Sequence, residues 1–322
     1  MRIVIFGAGS LGSLLGALLD SAHDVVLVGR DPHVSTVRER GLRVTGIDSF
    51  EASPAATADG TGLDADFAIV TVKAYDTAAA ARDLATGDIG AAVSLQNGLG
   101  NEAALAAELD CPIVAGTTTY GAMLSEPGVV AWTGRGEVVV GNWRVSDRWG
   151  DGSDGRDAGG YEDDVGDATD TDPASWVADA FRAASIDAGV DPDIRHRLWL
   201  KLAVNAAINP ITALARIRNG QVFEGPTAEY AERAAAETAR VARAEGVGLD
   251  TETAIGEART VARRTADNRS SMLQDLVAGR RTEIDAISGA VADGAEAHGI
   301  DAPVNGLLSA LLRGWEAGER LR

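Results

Sequence analysis

The first apolar run of the chain, Arg2 to Phe6, is β-branched and stops at Gly7-Ala8-Gly9-Ser10-Leu11-Gly12. From Leu11 to Leu19 the apolar positions follow a helical spacing, and Asp24 to Arg30 returns to a continuous apolar run closed by Gly29-Arg30. Strand, glycine turn, helix and a second buried strand make one βαβ unit. Further strand-like runs lie at Asp66 to Val72, Ala91 to Leu95 and Pro112 to Thr118, separated by alanine-rich helical stretches at Tyr75 to Leu84 and Asn101 to Leu109. This alternation predicts a parallel α/β sheet. Beyond about Asp191 the strand signals stop, and helical periodicity takes over at His196 to Asn209, Thr227 to Glu245, Thr251 to Asp267, Glu283 to His298 and Asn305 to Glu319.

The glycines of the opening unit point to a dinucleotide. In a strand–turn–helix context Gly7 permits the tight turn, Gly9 lets backbone approach a pyrophosphate, and Gly12 lets the helix pack closely on the sheet. The helix N-terminus adds amide donors and partial positive charge for phosphates. Arg30, 18 residues after Gly12, closes the second strand where an acid would bind the ribose hydroxyls of NAD. An arginine there suits the 2′-phosphate of NADPH, the bland alternative being an ordinary surface arginine. The fold expected is therefore α/β, with a Rossmann-type dinucleotide-binding domain over residues 1–190 and an all-helical domain over 191–322. The active site is expected in the cleft between them.

Two polar insertions fall at strand carboxyl ends, where ligands bind in such sheets. Lys73 closes the third clear strand and Gln96-Asn97-Gly98 the fourth. Asn97 is equally readable as a plain turn former. Lys73 is harder to dismiss, because the chain has only one other lysine, Lys201. A lysine kept in such a chain suggests a need for a compact ammonium charge.

Composition narrows the class. The chain has 322 residues, enough for two domains at ~100–200 residues each. A single Cys111 excludes an intramolecular disulfide and multi-cysteine metal sites, and the four histidines form no ligand-like pair, so no metal is expected. Forty-eight acidic against 29 basic residues give a formal net charge of −19, a surface that repels nucleic acid and anionic lipid. This acidity, with arginine in place of lysine, fits a halophilic, high-salt cytoplasm; a generically acidic enzyme from a GC-rich genome is the alternative. The apolar stretch before Asp20 is broken by Gly7, Gly9, Gly12 and Gly16 and reads as folded structure, not a signal peptide. No uncharged run reaches the ~20 residues of a membrane span, so a cytoplasmic protein is expected. From Asp147 to Asp172 ten acids, two arginines and almost no aliphatic residues predict a solvated, mobile surface loop.

The informative stretch of the second half is Trp199 to Pro210. Lys201, Asn205 and Asn209 are spaced by four, so they line one stripe of a helix. A lysine and two amides on an otherwise apolar helix are costly if buried without partners, so either a polar ligand meets them or the stripe is ordinary polarity at a domain boundary. Pro210 is expected to end or kink the helix just after Asn209.

Taken together, Gly7 to Gly12, Lys73-Ala74, Gln96-Asn97-Gly98, the block Lys201 to Pro210, Ser270-Ser271-Met272-Leu273-Gln274-Asp275 and Thr282-Glu283-Ile284-Asp285 resemble the ketopantoate reductase (2-dehydropantoate 2-reductase) family, within the wider 6-phosphogluconate dehydrogenase-like group. The resemblance covers nearly the whole chain and is interrupted chiefly by the acidic insertion. It implies a C-terminal domain like that of 6-phosphogluconate dehydrogenase and NADPH-dependent reduction of ketopantoate to pantoate, the precursor of pantothenate and coenzyme A. By that likeness Lys201 and Glu283 are catalytic, and Asn97, Asn205, Asn209 and Ser271 join them in binding substrate. Gly7, Ala8, Gly9, Ser10, Leu11, Gly12, Arg30, Lys73 and Asn97 bind the cofactor. The partner implied is a small-molecule substrate; a homodimer is allowed, and neither nucleic acid nor membrane is expected.

The chemistry stands without the label. Reducing a 2-keto acid needs a hydride at C2 and a proton at the ketone oxygen, and a lysine ammonium at that oxygen both stabilises the developing charge and donates the proton. Two rivals are a related reductase of another keto acid and an NADPH sensor without turnover. The joint presence of Ser271 and Glu283 argues against the first, and retention of Lys201 in a lysine-poor chain against the second.

Overall fold

The computed structural model describes residues 1–144 and 172–322, which divide into two compact units. One comprises residues 1–96, 101–144 and 172–194; the other comprises residues 97–100 and 195–322. The acidic stretch from Asp147, expected to be a surface loop, lies outside the described residues as far as Thr171. Asp172 is described: its carboxylate caps a helix by accepting from Ser175 N at 2.9 Å.

In the first unit β1 (Arg2–Phe6), α1 (Ser10–Leu19) and β2 (Asp24–Val28) form the opening βαβ, followed by α2 (His33–Arg40). Next come β3 (Leu42–Gly46), β4 (Phe50–Ala52), β5 (Ala55–Thr57), β6 (Phe67–Val70), α3 (Thr77–Leu84), β7 (Ala92–Ser94), α4 (Asn101–Ala106) and β8 (Ile113–Thr118). β9 (Gly121–Glu126), β10 (Val129–Gly134), β11 (Val138–Asn142), α5 (Pro173–Ala183) and β12 (Ala188–Val190) complete it. Among the described residues the main sheet has eight strands in the order β12-β11-β8-β7-β6-β1-β2-β5. Its central strands are apolar throughout because both faces are covered: Ile3 and Ile5 pack into one core with Leu14 and Leu15, while Val4 and Phe6 pack into another with Val70 and Leu84.

The expectation of a parallel sheet needs one correction. β11 runs antiparallel to β8. The chain between them makes no helical crossover; it passes through β9 and β10 and returns, and parallel pairing requires a crossover. Those two strands join β3 and β4 in a second, four-stranded sheet of order β4-β3-β10-β9, which the sequence pattern did not signal. Several of their residues are half-buried or exposed, so no clean apolar run marks them.

The second unit is helical. Its elements are α6 (Ile194–Ala215), α7 (Ala228–Ala244), α8 (Thr251–Arg264), α9 (Ser271–Val277), α10 (Ala290–Ala297) and α11 (Pro303–Gly318). Of the two expected effects of Pro210, an end to α6 does not occur: the helix runs on to Ala215 with the proline inside it. Proline inside a helix costs ~3 kcal/mol, yet Ile208, Ile211 and Ala213 around it are buried in the helical core, and that packing keeps the turn in place. By length and composition α6 is apolar enough to cross a membrane, but 72% of its apolar window is buried inside the fold, as befits a core helix. A second correction concerns the expected helix from Glu283 to His298. Asp285–Gly289 is π-helical, and regular α-helix begins only at Ala290.

Candidate active site

The first unit carries its candidate residues at the carboxyl ends of three adjacent parallel strands, β6, β1 and β2. After β1 the amides of Gly7 and Ala8 both donate to Val28 O, at 2.9 and 2.8 Å, and Gly7 takes φ +118°. A Cβ on Gly7 would stand 2.6 Å from Val72 N, and one on Gly12 only 2.2 Å from Gly7 O, so both glycines are required by packing. Gly9 differs: a Cβ there would meet nothing within 4 Å. It precedes α1, whose N-terminus has no side-chain cap. An uncapped helix start beside open space at a glycine fits the pyrophosphate of a dinucleotide, for which Ser10 and Leu11 lie in the first turn.

Arg30 follows β2 and Lys73 follows β6, so they flank that turn on its two sides. Arg30 is highly exposed, with 87% of its side chain accessible, and its guanidinium pairs with Asp76 at 3.0 Å. Asp76 was not anticipated. The only sequence signal for it is its place just before the helix α3, where an aspartate normally caps; here it makes no capping bond. Gln96 is buried and donates to Val72 O at 2.9 Å and to Thr77 Oγ1 at 2.7 Å, which fixes the end of β7 against the turn after β6.

Asn97–Gly100 clusters with the helical unit. Gly98 has φ +85° and lies so close to Ala286 that a Cβ would approach its Cβ to 2.5 Å, while Leu99 N donates to Ala286 O at 3.1 Å. The structure therefore brings Asn97 to the π-helical segment that follows Glu283. Glu283 is itself buried. The residue before it is held firmly: Thr282 donates both its amide and its hydroxyl to one oxygen of the buried Glu316 carboxylate, at 2.7 and 2.6 Å. On the other side, Asp285 is bonded by Arg313 Nε at 2.7 Å and paired with Arg322 at 2.8 Å. Burial opposes its ionisation, but those arginines prevail and hold its carboxyl below the ordinary aspartate value.

On α6, Lys201 and Asn205 are half-buried and Asn209 is buried. The amide nitrogen of Asn205 is inaccessible and donates to no partner, which is unusual for a buried amide and marks a place for an acceptor. α9 opens at the same unit's Ser270-Ser271 pair. Ser270 is the buried cap, accepting from Leu273 N at 3.0 Å, which leaves Ser271 exposed as the first helical residue. The helical unit thus carries one ammonium, two amides, a hydroxyl and a carboxylate on α6, α9 and the segment before the π-helical turn, residue types suited to a small polyoxygenated acid.

Comparison with known proteins agrees with that chemistry. Residues 3–144 match the family described as "Ketopantoate reductase PanE/ApbA", and residues 193–316 match "Ketopantoate reductase PanE/ApbA C terminal". The chain is similar to the 2-dehydropantoate 2-reductase of Archaeoglobus fulgidus, 42% identical over 319 residues that cover 98% of each chain. The enzyme of the same name from Halobacterium salinarum is also 42% identical, over 97% of this chain and 98% of that one. Among solved structures, the PanE/ApbA family ketopantoate reductase of Ralstonia eutropha superposes with a TM-score of 0.85 at 29% identity, covering 99% of this chain and 100% of that one. D-mandelate dehydrogenase with NADH and anilino(oxo)acetate superposes with a TM-score of 0.86 at 25% identity, over 100% of both chains.

Proposed function

Because the chain belongs to the PanE/ApbA ketopantoate reductase family over both of its units, we propose that it reduces 2-dehydropantoate to pantoate with NADPH, and that Lys201 supplies the proton. The overall change is balanced by one hydride to C2 and one proton to the ketone oxygen. NADPH, when bound, supplies the hydride. Gly9, Ser10 and Leu11 would receive its pyrophosphate at the start of α1, and Arg30 and Lys73 its 2′-phosphate.

The Lys201 ammonium stabilises negative charge building on the ketone oxygen and then donates its proton there. Asn205, Asn209 and Ser271 orient the substrate through neutral hydrogen bonds. Glu283, held between Thr282 and Asp285, accepts the substrate's terminal hydroxyl and steadies the ammonium. A site built to bond a hydroxyl rejects analogues that lack it, because its buried polar groups are then left unpaired.

The observation that carries this reading is the buried, unpartnered amide nitrogen of Asn205 on the same helical stripe as Lys201. It supports a polar ligand over ordinary helix-surface polarity. The test is NADPH oxidation with ketopantoate in concentrated KCl, comparing the wild-type protein with Lys201→Ala. Turnover in the wild type, lost in the variant while NADPH binding persists, supports the assignment. Turnover retained by Lys201→Ala overturns its role as proton donor. Turnover only with a keto acid lacking the terminal hydroxyl, such as an aryl keto acid, replaces the substrate. The reading carries with it a cytoplasmic location.

A further inference from the structure

The partner of Arg30 bears on which dinucleotide the protein accepts. Arg30 lies two residues beyond the end of β2, where its guanidinium is expected to meet a 2′-phosphate, yet it is paired with Asp76 across the glycine turn. Asp76 belongs to the same tight turn as Lys73, since its amide donates to Lys73 O at 2.8 Å. It stands at the cap position of α3 but bonds no amide of that helix. Its carboxylate, 34% accessible, is thus directed to Arg30 and serves no local structural need.

A carboxylate at this place acts on the two cofactors in opposite senses. A 2′-phosphate that engages Arg30 has to displace Asp76 and then remain near its negative charge, which weakens NADPH binding. A ribose with a free 2′-hydroxyl finds in Asp76 the acceptor that NAD-binding sites provide with an acidic residue. Exposed ion pairs are weak, so Arg30 is released readily to a phosphate; the carboxylate's charge is what remains.

We propose that Asp76 is a specificity-determining residue for the adenosine ribose: it competes with a 2′-phosphate for Arg30 and accepts a ribose hydroxyl. The protein therefore binds NADH as well as NADPH, with a smaller preference than Arg30 alone would set. This inference rests on the dinucleotide reading of the preceding section.

The experiment is equilibrium titration of the intact protein with NADPH and NADH, and with 2′,5′-ADP and ADP as probes lacking nicotinamide. The wild-type protein is compared with Asp76→Asn and Asp76→Ala, with thermal midpoints recorded alongside. Both variants should keep the wild-type midpoint and raise the NADPH-to-NADH affinity ratio about 5-fold at low salt. The same rise should appear for 2′,5′-ADP over ADP, and it should shrink in molar KCl, where the Debye length falls to ~3 Å. An unchanged or lowered ratio in two folded variants overturns the role of Asp76. A rise that is indifferent to salt overturns the charge-competition mechanism. If the wild-type protein binds none of the four ligands, the dinucleotide reading itself fails.

Discussion

The side-chain oxygens of Thr212 and Ser270 lie 2.6 Å apart in a fully buried contact, tying the helix that carries Lys201, Asn205 and Asn209 to the cap of the helix that begins with Ser271. Groups proposed to bind one substrate are thereby fixed to each other by a bond that touches none of them. Ser270→Ala removes both this bond and the cap on α9, and is expected to lower stability by about 1–2 kcal/mol. It should also raise KM for the keto acid while leaving NADPH affinity unchanged. Denaturant unfolding and steady-state kinetics on the same preparation check both halves.

Gly9 and Gly12 separate binding from packing. A methyl group at Gly9 meets open space, and the residue's φ of −86° suits any side chain, so Gly9→Ala should keep the wild-type thermal midpoint. It should weaken NADPH binding by about 10-fold or more, because the pyrophosphate needs that space. Gly12→Ala drives a Cβ to 2.2 Å from Gly7 O and should lower the midpoint markedly. Equal losses of stability in the two variants would contradict this division.

Asn205→Ala trades the opposite way. Its amide nitrogen makes no bond in the protein, so removing it should change stability by less than about 1 kcal/mol. Loss of a donor to the substrate should nevertheless raise KM for ketopantoate by about 10-fold. A large loss of stability with an unaltered KM would show that the amide serves the fold.

His33 makes stability depend on pH. Its Nδ1 accepts from Gly128 N at 3.0 Å, so the ring proton is on Nε2, which bonds Ser13 Oγ at 2.9 Å. Burial lowers the imidazole pKa below its ordinary 6.5. The neutral form is thus favoured in the folded state; its contribution is fully present above the unfolded value and is lost as pH falls through that value towards the lowered one. Unfolding midpoints should decline over that acid window in the wild-type protein. The decline should be shallower in His33→Gln, measured in the same buffers.

Glu237 holds the start of α11 from a neighbouring helix. Its carboxylate accepts from Val304 N at 3.0 Å and from Asn305 N and Nδ2, both at 2.9 Å, where Ala302 offers no cap. Glu237→Ala leaves the backbone amides of Val304 and Asn305 unsatisfied, while Asn305 Nδ2 keeps Ala234 O at 3.1 Å, and is expected to cost about 3 kcal/mol. Chemical denaturation should register this loss, with Glu237→Gln recovering part of it.

What was legible in advance was whatever depends on neighbours along the chain. The βαβ opening, its glycine turn and the Lys201–Asn205–Asn209 stripe follow from short continuous apolar runs, clustered glycines and spacings of three to four residues, which the sequence displays directly. The belonging of the chain to its family was legible for the same reason, since short blocks such as Lys201 to Pro210 and Thr282 to Asp285 carry it. The continuation of α6 through Pro210 was not legible, because burial of Ile208 and Ile211 outweighs a local preference. Nor was the second sheet, whose mixed exposure leaves no periodic trace. Arg30 and Asp76 are 46 residues apart, and Thr212 and Ser270 are 58 apart. Such pairs exist only once strand order and helix packing have closed the intervening loops, and no local propensity records which polar side chain will stand across from which. The sequence by itself determined the kind of cofactor and chemistry the chain is built for. The tertiary structure decided which side chains stand opposite Arg30 and Thr212, because those pairings depend on chain segments that the fold alone brings together.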